Sequence, residues 1–302
     1  MILVAGGSGF IGSATVKSLV GSGADVRVMT SNERKSGDAI RAMGATPVTG
    51  DMLDADSLPP AVRGADVVVQ ALTFPTFPVE KRRRRYTFDE FDGAGTERLV
   101  GAAREAGVHR YVYVSGAGAA PDGPKHWYRA KWRGEEAVRS SGLEHAIVRP
   151  SWVYGPGDIS LNKFVAFHRW LPFVPVVGDG NQRVQPVFVD DVGAAVAGAA
   201  GLGQPSGTFE VGGPQVLTMN EVLATMMEVR GKRKPLVHLP VWFAKFGSFF
   251  LQYVPGSPLS PGAIDFATAD ALADIASLQR AFPDLRLRPL REGLEAYLAP
   301  KR

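Results

Sequence analysis

Apolar and polar positions follow two rhythms along the chain, and glycines and prolines mark each change. Residues 1–5 are a continuous apolar, partly β-branched run, the pattern of a strand buried on both faces of a parallel sheet. Helical spacing follows at Ala14, Val16, Leu19 and Val20. Strand-like runs recur at 25–30, 46–49, 66–72, 110–115 and 145–149, the last stopped by Pro150. Between them lie helix-like stretches. One spans 87–106, with Phe88, Phe91, Leu99, Val100 and Ala103 available for packing and Gly107 as its stop; another spans 127–140, closed by Gly142. This alternation predicts an α/β fold with a doubly wound parallel sheet of Rossmann type.

The rhythm loosens in the second half. Residues 155–180 are rich in proline, glycine and aromatics (Phe164, Phe167, Trp170, Phe173), consistent with a substrate-side excursion. Residues 186–200 return to the first half, with Asp190 or Asp191 expected to cap an alanine-rich helix, and 207–213 add a strand. A helix is expected over 218–230, with Asn220 as its cap and Glu221 in the first turn. In 240–254, Trp242, Phe246, Phe249, Phe250 and Tyr253 share one helical face, read as packing inside a small domain. The alternative there is an apolar lid or a surface helix meeting a lipid-like substrate or a membrane. A helical cap is expected over 260–298, around Asp270 and Asp274. The division expected is a nucleotide-binding domain over 1–154, rejoined by 184–213, and a smaller, mostly helical substrate-side domain over 155–302.

The chemistry concentrates after the first strand. Glycines at Gly6, Gly7, Gly9 and Gly12 satisfy both G-x-G-x-x-G and its wider variant, between a buried strand and an opening helix. One glycine turns the strand, one lets backbone N–H groups approach a pyrophosphate, and one lets the helix pack closely. The expected contacts are Gly6, Ser8, Gly9, Phe10, Ile11 and Gly12. The second strand ends at Thr30 and Ser31, with Arg34 and Lys35 close behind, where a carboxylate would favour NAD. Neutral donors with cations nearby suit a 2′-phosphate, so NADP is the expected cofactor and NAD the alternative. Asp51 and Met52, after the third strand, are placed at the edge and face of the adenine. Leu72 and Thr73 begin a loop at the carboxyl edge of the fourth strand, where ligands bind in such sheets.

Composition narrows the classes. The 302 residues, 45% hydrophobic and 21% charged, are those of an ordinary globular protein, and a net charge of +4 is no argument for nucleic acid. With no cysteine there is no disulfide, thiolate metal site or thiol nucleophile. The five histidines lack ligand spacing, so no metal is expected. The run 81–85 (KRRRR) is read first as a solvated loop, with an anionic substrate, partner or membrane surface as the alternatives. Peripheral membrane contact through 81–85 or 240–254 is not the favoured reading. No apolar run reaches the ~20 residues needed to cross a bilayer. The first residues are committed to a strand rather than a signal sequence, which leads to a cytoplasmic expectation.

Five segments carry a resemblance: AGGSGFIG (5–12), GDMLD (50–54), AAREAGVHRYVYVSG (102–116), RAKWRGEEAVRSSGLEHAIVRPSWVYGPGD (129–158) and PVFVDDVGAAV (186–196). In this order they resemble the short-chain dehydrogenase/reductase superfamily, in its extended and atypical branches. The chain most resembles the NAD(P)-binding proteins related to the accessory subunit of respiratory complex I. The resemblance implies a tyrosine–lysine dyad spaced i, i+4 on one helix, where the lysine favours the phenolate and binds the nicotinamide ribose. Lys131 matches the lysine, but Trp127 occupies the tyrosine position. Tyr128, three residues before Lys131, is the candidate proton donor or an ordinary surface aromatic. Ser115 is the candidate helper hydroxyl, with Ala117 where the extended branch often has serine or threonine. Pro150 matches the nicotinamide-contacting turn. The expected activity is NADP-linked oxidoreduction of a hydrophobic carbonyl or quinone-like small molecule. The broken dyad leaves turnover itself open, so the alternative is a nucleotide-binding sensor or scaffold. A sugar-nucleotide epimerase or dehydratase is the weaker third.

Overall fold

In the computed structural model, residues 1–251, 264–265 and 268–299 are described. The elements run β1 (Ile2–Ala5), α1 (Phe10–Gly21), β2 (Val26–Thr30), α2 (Glu33–Ala42), β3 (Thr46–Thr49), α3 (Leu58–Val62) and β4 (Val67–Gln70). They continue with α4 (Thr96–Glu105), β5 (Arg110–Val114), α5 (His126–Arg139) and β6 (Glu144–Pro150). Seven strands form one parallel sheet in the order β11-β6-β5-β4-β1-β2-β3, β11 being Gly207–Val211. The order reverses between β1 and β4, which opens the crevice where such sheets bind ligands.

Both sheet faces are dry, as the unbroken apolar runs require. Leu3, Val68, Tyr111 and Ile147 point to one face, with α3, α4 and α5 over them. Val4, Val28, Val69, Val112 and Val148 point to the other, under α1 and α7 (Val189–Ala199). Each fully buried side chain of this size contributes roughly 1.5–3 kcal/mol. Gly193 sets the α1–α7 approach, since a Cβ there would lie 2.6 Å from the Ala14 backbone.

The second half builds a smaller body from β7 (Trp152–Tyr154), α6 (Leu161–Trp170), β8 (Val174–Val177), β9 (Arg183–Val184) and β10 (Pro186–Phe188). It is completed by β12 (Leu217–Thr218), α8 (Met219–Val229), β13 (Leu236–Leu239), α9 (Val241–Leu251) and, beyond α10 (Ala276–Ala281), α11 (Leu290–Leu298). Helix α10 instead returns to the large sheet and buries Leu278 in its core. Its core joins Trp152, Tyr154, Leu161, Val222, Met226, Leu290 and Leu294.

Four expectations need correction. The single helix over 87–106 is a π-helical stretch, Asp89–Gly95, running into α4. A Cβ at Gly95 would lie 2.7 Å from the Glu90 carbonyl, so the wide turn depends on that glycine. Asp190 and Asp191 lie in the first turn of α7 and do not cap it; the buried Asp191 accepts instead from the Arg288 N–H at 2.7 Å. The cap of α8 is Thr218, in a capping box with Glu221, while Asn220 donates to the Asp179 carbonyl. Finally, Trp242, Phe246 and Phe249 do not pack inward but stand exposed on α9. Phe250 lies within α9, and Tyr253 lies outside the described residues.

Candidate functional site

The crevice begins at the turn after β1. Gly6 sits at φ +85°, and a Cβ there would lie 2.5 Å from the Ala71 carbonyl of the loop after β4. The two loops flanking the switch point are thus in backbone contact. A Cβ at Gly12 would lie 2.1 Å from the Gly6 carbonyl, so only glycine lets α1 start this close to the turn. Gly9 is the N-cap and brings no side chain; the first bond of the helix runs from the Ser13 N–H to the Gly9 carbonyl. The N–H groups of Phe10, Ile11 and Gly12 precede it and have no intrahelical acceptor. No acid neutralises the helix start. Bare N–H groups at the positive end of a twelve-residue helix fit the diphosphate of a dinucleotide. Ser8 and Gly9 are exposed there, and Leu72 and Thr73 face them across the switch point, partly buried and exposed respectively.

At the end of β2, Thr30 Oγ1 bonds Ser36 Oγ at 2.7 Å and accepts from the Asn32 N–H. Asn32 caps α2 through the Lys35 N–H. Ser31, Arg34 and Lys35 are exposed around that first turn, and among the described residues neither cation has a carboxylate partner. Asp51 accepts from the Leu53 N–H, bracing the turn after β3. Met52 overturns its expectation. At 1% exposure, its side chain lies in the core against Gly95, so it presents no face to an adenine. The partly exposed apolar side chain of that turn is Leu53.

The far end of the crevice gathers around α5. Lys131 Nζ lies 2.9 Å from Oδ1 of Asp92, a fully buried carboxylate on the π-helical stretch. The Tyr113 hydroxyl donates to the same oxygen at 3.2 Å, while Asp92 Oδ2 has no hydrogen-bond partner among the described residues. Burial, with the Asp92 charge second, pushes the Tyr113 phenol well up, so it stays protonated as a donor. The Lys131 stem passes Gly116, and the Tyr128 ring lies on Gly118, where a Cβ would sit 2.9 Å from it. The loop after β5 therefore brings Lys131 and Tyr128 to one place. Trp127 packs against both Tyr128 and Phe88, with ring centroids 5.6 and 6.1 Å away.

Ser115 is not a free helper hydroxyl. Its Oγ donates at 2.6 Å to Glu135, which is fully buried and also held by Arg149 (2.6 and 2.8 Å) and Arg139 (2.7 Å). That network braces α5 against β5 and β6. Pro150 is buried at the end of β6, and its carbonyl accepts from the Ala117 N–H at 3.0 Å, joining the loops after β5 and β6.

Two residues of this region escape a motif search, Asp92 and Glu135. Their signal is periodic. Asp92 lies between Phe88 and Leu99 on the apolar stripe of its helix, and Glu135 lies on the stripe of Trp127, Lys131 and Val138. A carboxylate on a buried stripe is paired or functional.

Comparison with known proteins agrees with this geometry. Residues 6–163 match the family described as NAD(P)H-binding. The chain is 31% identical over 305 residues to the mitochondrial NADH dehydrogenase [ubiquinone] 1 alpha subcomplex subunit 9 of Arabidopsis thaliana, covering 95% of this chain and 73% of that one. It is 28% identical over 233 residues to an NAD(P)H azoreductase of Xenophilus azovorans, covering 77% and 74%. Among solved structures, an NADPH-dependent quinone oxidoreductase of Escherichia coli complexed with NADPH superposes with a TM-score of 0.75 at 19% identity, covering 98% and 99%.

Proposed function

Because the chain belongs to the NAD(P)H-binding family, as an atypical member of the short-chain dehydrogenases/reductases, we propose that it is an NADPH-linked reductase of an apolar quinone-like acceptor. The observation that carries this reading is the pairing of Lys131 with the buried Asp92. In a tyrosine–lysine dyad the lysine charge lowers the phenol's pKa. Here a carboxylate at 2.9 Å offsets that charge, Trp127 holds the usual tyrosine position, and Tyr128 lies on the loop after β5. A simple ketone becomes a strongly basic alkoxide as hydride arrives and needs a poised acid. A quinone becomes a delocalised phenolate-type anion that water or an ordinary phenol protonates. This site suits the second acceptor. The azoreductase and the quinone oxidoreductase named above are consistent with that class.

The residues divide the work. The amides of Phe10, Ile11 and Gly12 hold the diphosphate, Arg34 and Lys35 meet the 2′-phosphate, and Lys131 orients the nicotinamide ribose. Bound NADPH supplies the hydride; Tyr128 or water supplies the proton, and the products are NADP⁺ and the hydroquinone. Stirring NADPH with a panel of quinones and aldehydes tests the reading: quinones are expected to turn over and aldehydes not. Tyr128→Phe is expected to leave the quinone rate within about threefold, far below the 10²–10⁴ lost with an essential general acid. Arg34→Ala is expected to weaken NADPH about tenfold, the loss of one charge-assisted contact, and to leave NADH unchanged. A wild type that prefers NADH overturns the cofactor assignment.

The Asp92–Lys131 pair also favours a second reading, a nucleotide-binding sensor or scaffold without turnover. Tight NADPH binding with no oxidation across the panel would establish it.

A further inference from the structure

Helix α9 is built inside out. An ordinary surface helix turns its large apolar side chains to the core and its small or polar ones to water. Here Ser248 is 2% exposed, whereas Trp242 is 71%, Phe243 52%, Phe246 63% and Phe249 51% exposed. At 100° per residue these four aromatics span an arc of about 120°. The inner side is fixed independently. A Cβ at Gly178 would meet Val241 at 3.6 Å, and Lys245 Nζ lies 2.6 Å from Asp265 Oδ1. Asp265 also bonds Lys125 Nζ at 2.9 Å, the residue before α5, so α9 is anchored beside the helix that carries Tyr128 and Lys131.

Charge selects the occupant. Residues 229–264 contain no aspartate or glutamate; of their five cations, Arg233 is paired with Glu228 and Lys245 with Asp265, while Arg230, Lys232 and Lys234 have no carboxylate partner among the described residues. At the opposite end of the β8–β13 ribbon from the start of α9, the 75% exposed Trp170 stands under the Arg169 guanidinium. The turn bearing Lys232 packs there too, its carbonyl bonded to His168. The ribbon between the two patches is four residues long, about 13 Å. Exposed aromatics beside cations that lack a carboxylate partner match the interface of an anionic bilayer, where rings sit at headgroup depth and cations meet phosphate. The helix lies along such a surface rather than through it: eleven residues reach about 17 Å, against a hydrocarbon core of about 30 Å.

We propose that the outer face of α9 docks this protein on an anionic phospholipid surface. The assignment does not depend on the acceptor argued above. It is tested with the full chain and vesicles of two parts phosphatidylcholine to one part phosphatidylglycerol, beside vesicles of phosphatidylcholine alone. Co-sedimentation with the mixed vesicles is expected, weakened by salt and at least tenfold weaker on phosphatidylcholine. Trp242→Ser combined with Phe243→Ser should cut binding at least tenfold, with NADPH affinity and melting temperature unchanged as evidence of folding. Tryptophan emission should shift to the blue on mixed vesicles in the wild type, and less so in Trp242→Phe. Failure to bind, or binding that ignores both substitutions, overturns the proposal. So does lipid-independent self-association abolished by the same pair, which would make the face a contact between copies.

Discussion

Asp92 shows how one side chain sets the character of the site. It is fully buried, yet one oxygen takes both Lys131 Nζ and the Tyr113 hydroxyl. Asp92→Asn keeps the shape but removes the charge that compensates Lys131, itself only 19% exposed. The expected cost is about 1–3 kcal/mol, read as a lower urea midpoint with unchanged slope. Lys131 freed from its partner should also raise activity toward simple aldehydes, if Tyr128 then feels an uncompensated cation. At this scale the sequence reveals glycines better than polar side chains. Gly6 and Gly12 are legible because the motif that holds them is local: Gly6 turns the strand at a positive φ, and Gly12 meets the Gly6 carbonyl. Met52 and Ser115 are not, because the direction of each is set by a neighbour far along the chain, Gly95 for one and Glu135 for the other.

Elements follow the same division. Strands β3 and β5 and helix α5 are legible nearly to the residue, since each satisfies a local period and is closed by a turn residue. The π-helical stretch before α4 is not, because its wide turn answers a tertiary demand. Gly134 lets α5 approach so closely that a Cβ there would lie 2.3 Å from the Asp92 carbonyl. Nor is the orientation of α9 legible, since helical period locates an apolar face without saying what it meets. The junction of α6 with the turn after α8 carries a pH-dependent link. His168 Nε2 bonds the Lys232 carbonyl at 2.7 Å, and Nδ1 accepts from Arg230 Nε at 3.0 Å, an arrangement only neutral imidazole supports. Desolvation first, then Arg230, Lys234 and Lys232, hold its pKa below the usual histidine value, while the Lys232 carbonyl opposes them. The unfolded chain therefore binds the proton more readily than the folded one. Stability is complete above about pH 6.5 and falls as the pH drops from there through the folded pKa. Unfolding midpoints measured between neutral and mildly acid pH should show this slope, and His168→Gln should flatten it.

For the whole molecule, the decisive property is that the proposed dinucleotide contact and close backbone packing meet at the turn after β1. The crevice exists because the sheet order reverses between β1 and β4, and its floor is the Gly6–Ala71 backbone contact. A dinucleotide that binds only the folded chain stabilises it by about 2.7 kcal/mol at a hundred times its dissociation constant. In a chain of this size that raises the melting temperature by several degrees. Gly12→Ala places a Cβ 2.1 Å from the Gly6 carbonyl. Neither group is a flexible side chain, so α1 must withdraw from the turn, carrying with it the amides proposed to hold the diphosphate. Overpacking of this kind costs roughly 1–3 kcal/mol. The variant is therefore expected to melt lower than the wild type and to lose nearly all of the NADPH-induced rise. Gly21→Ala, at the other end of the same helix where a Cβ meets nothing within 4 Å, should keep both. Differential scanning fluorimetry with and without NADPH separates these outcomes. A Gly12→Ala protein that melts lower yet keeps the full shift would place the diphosphate away from the start of α1.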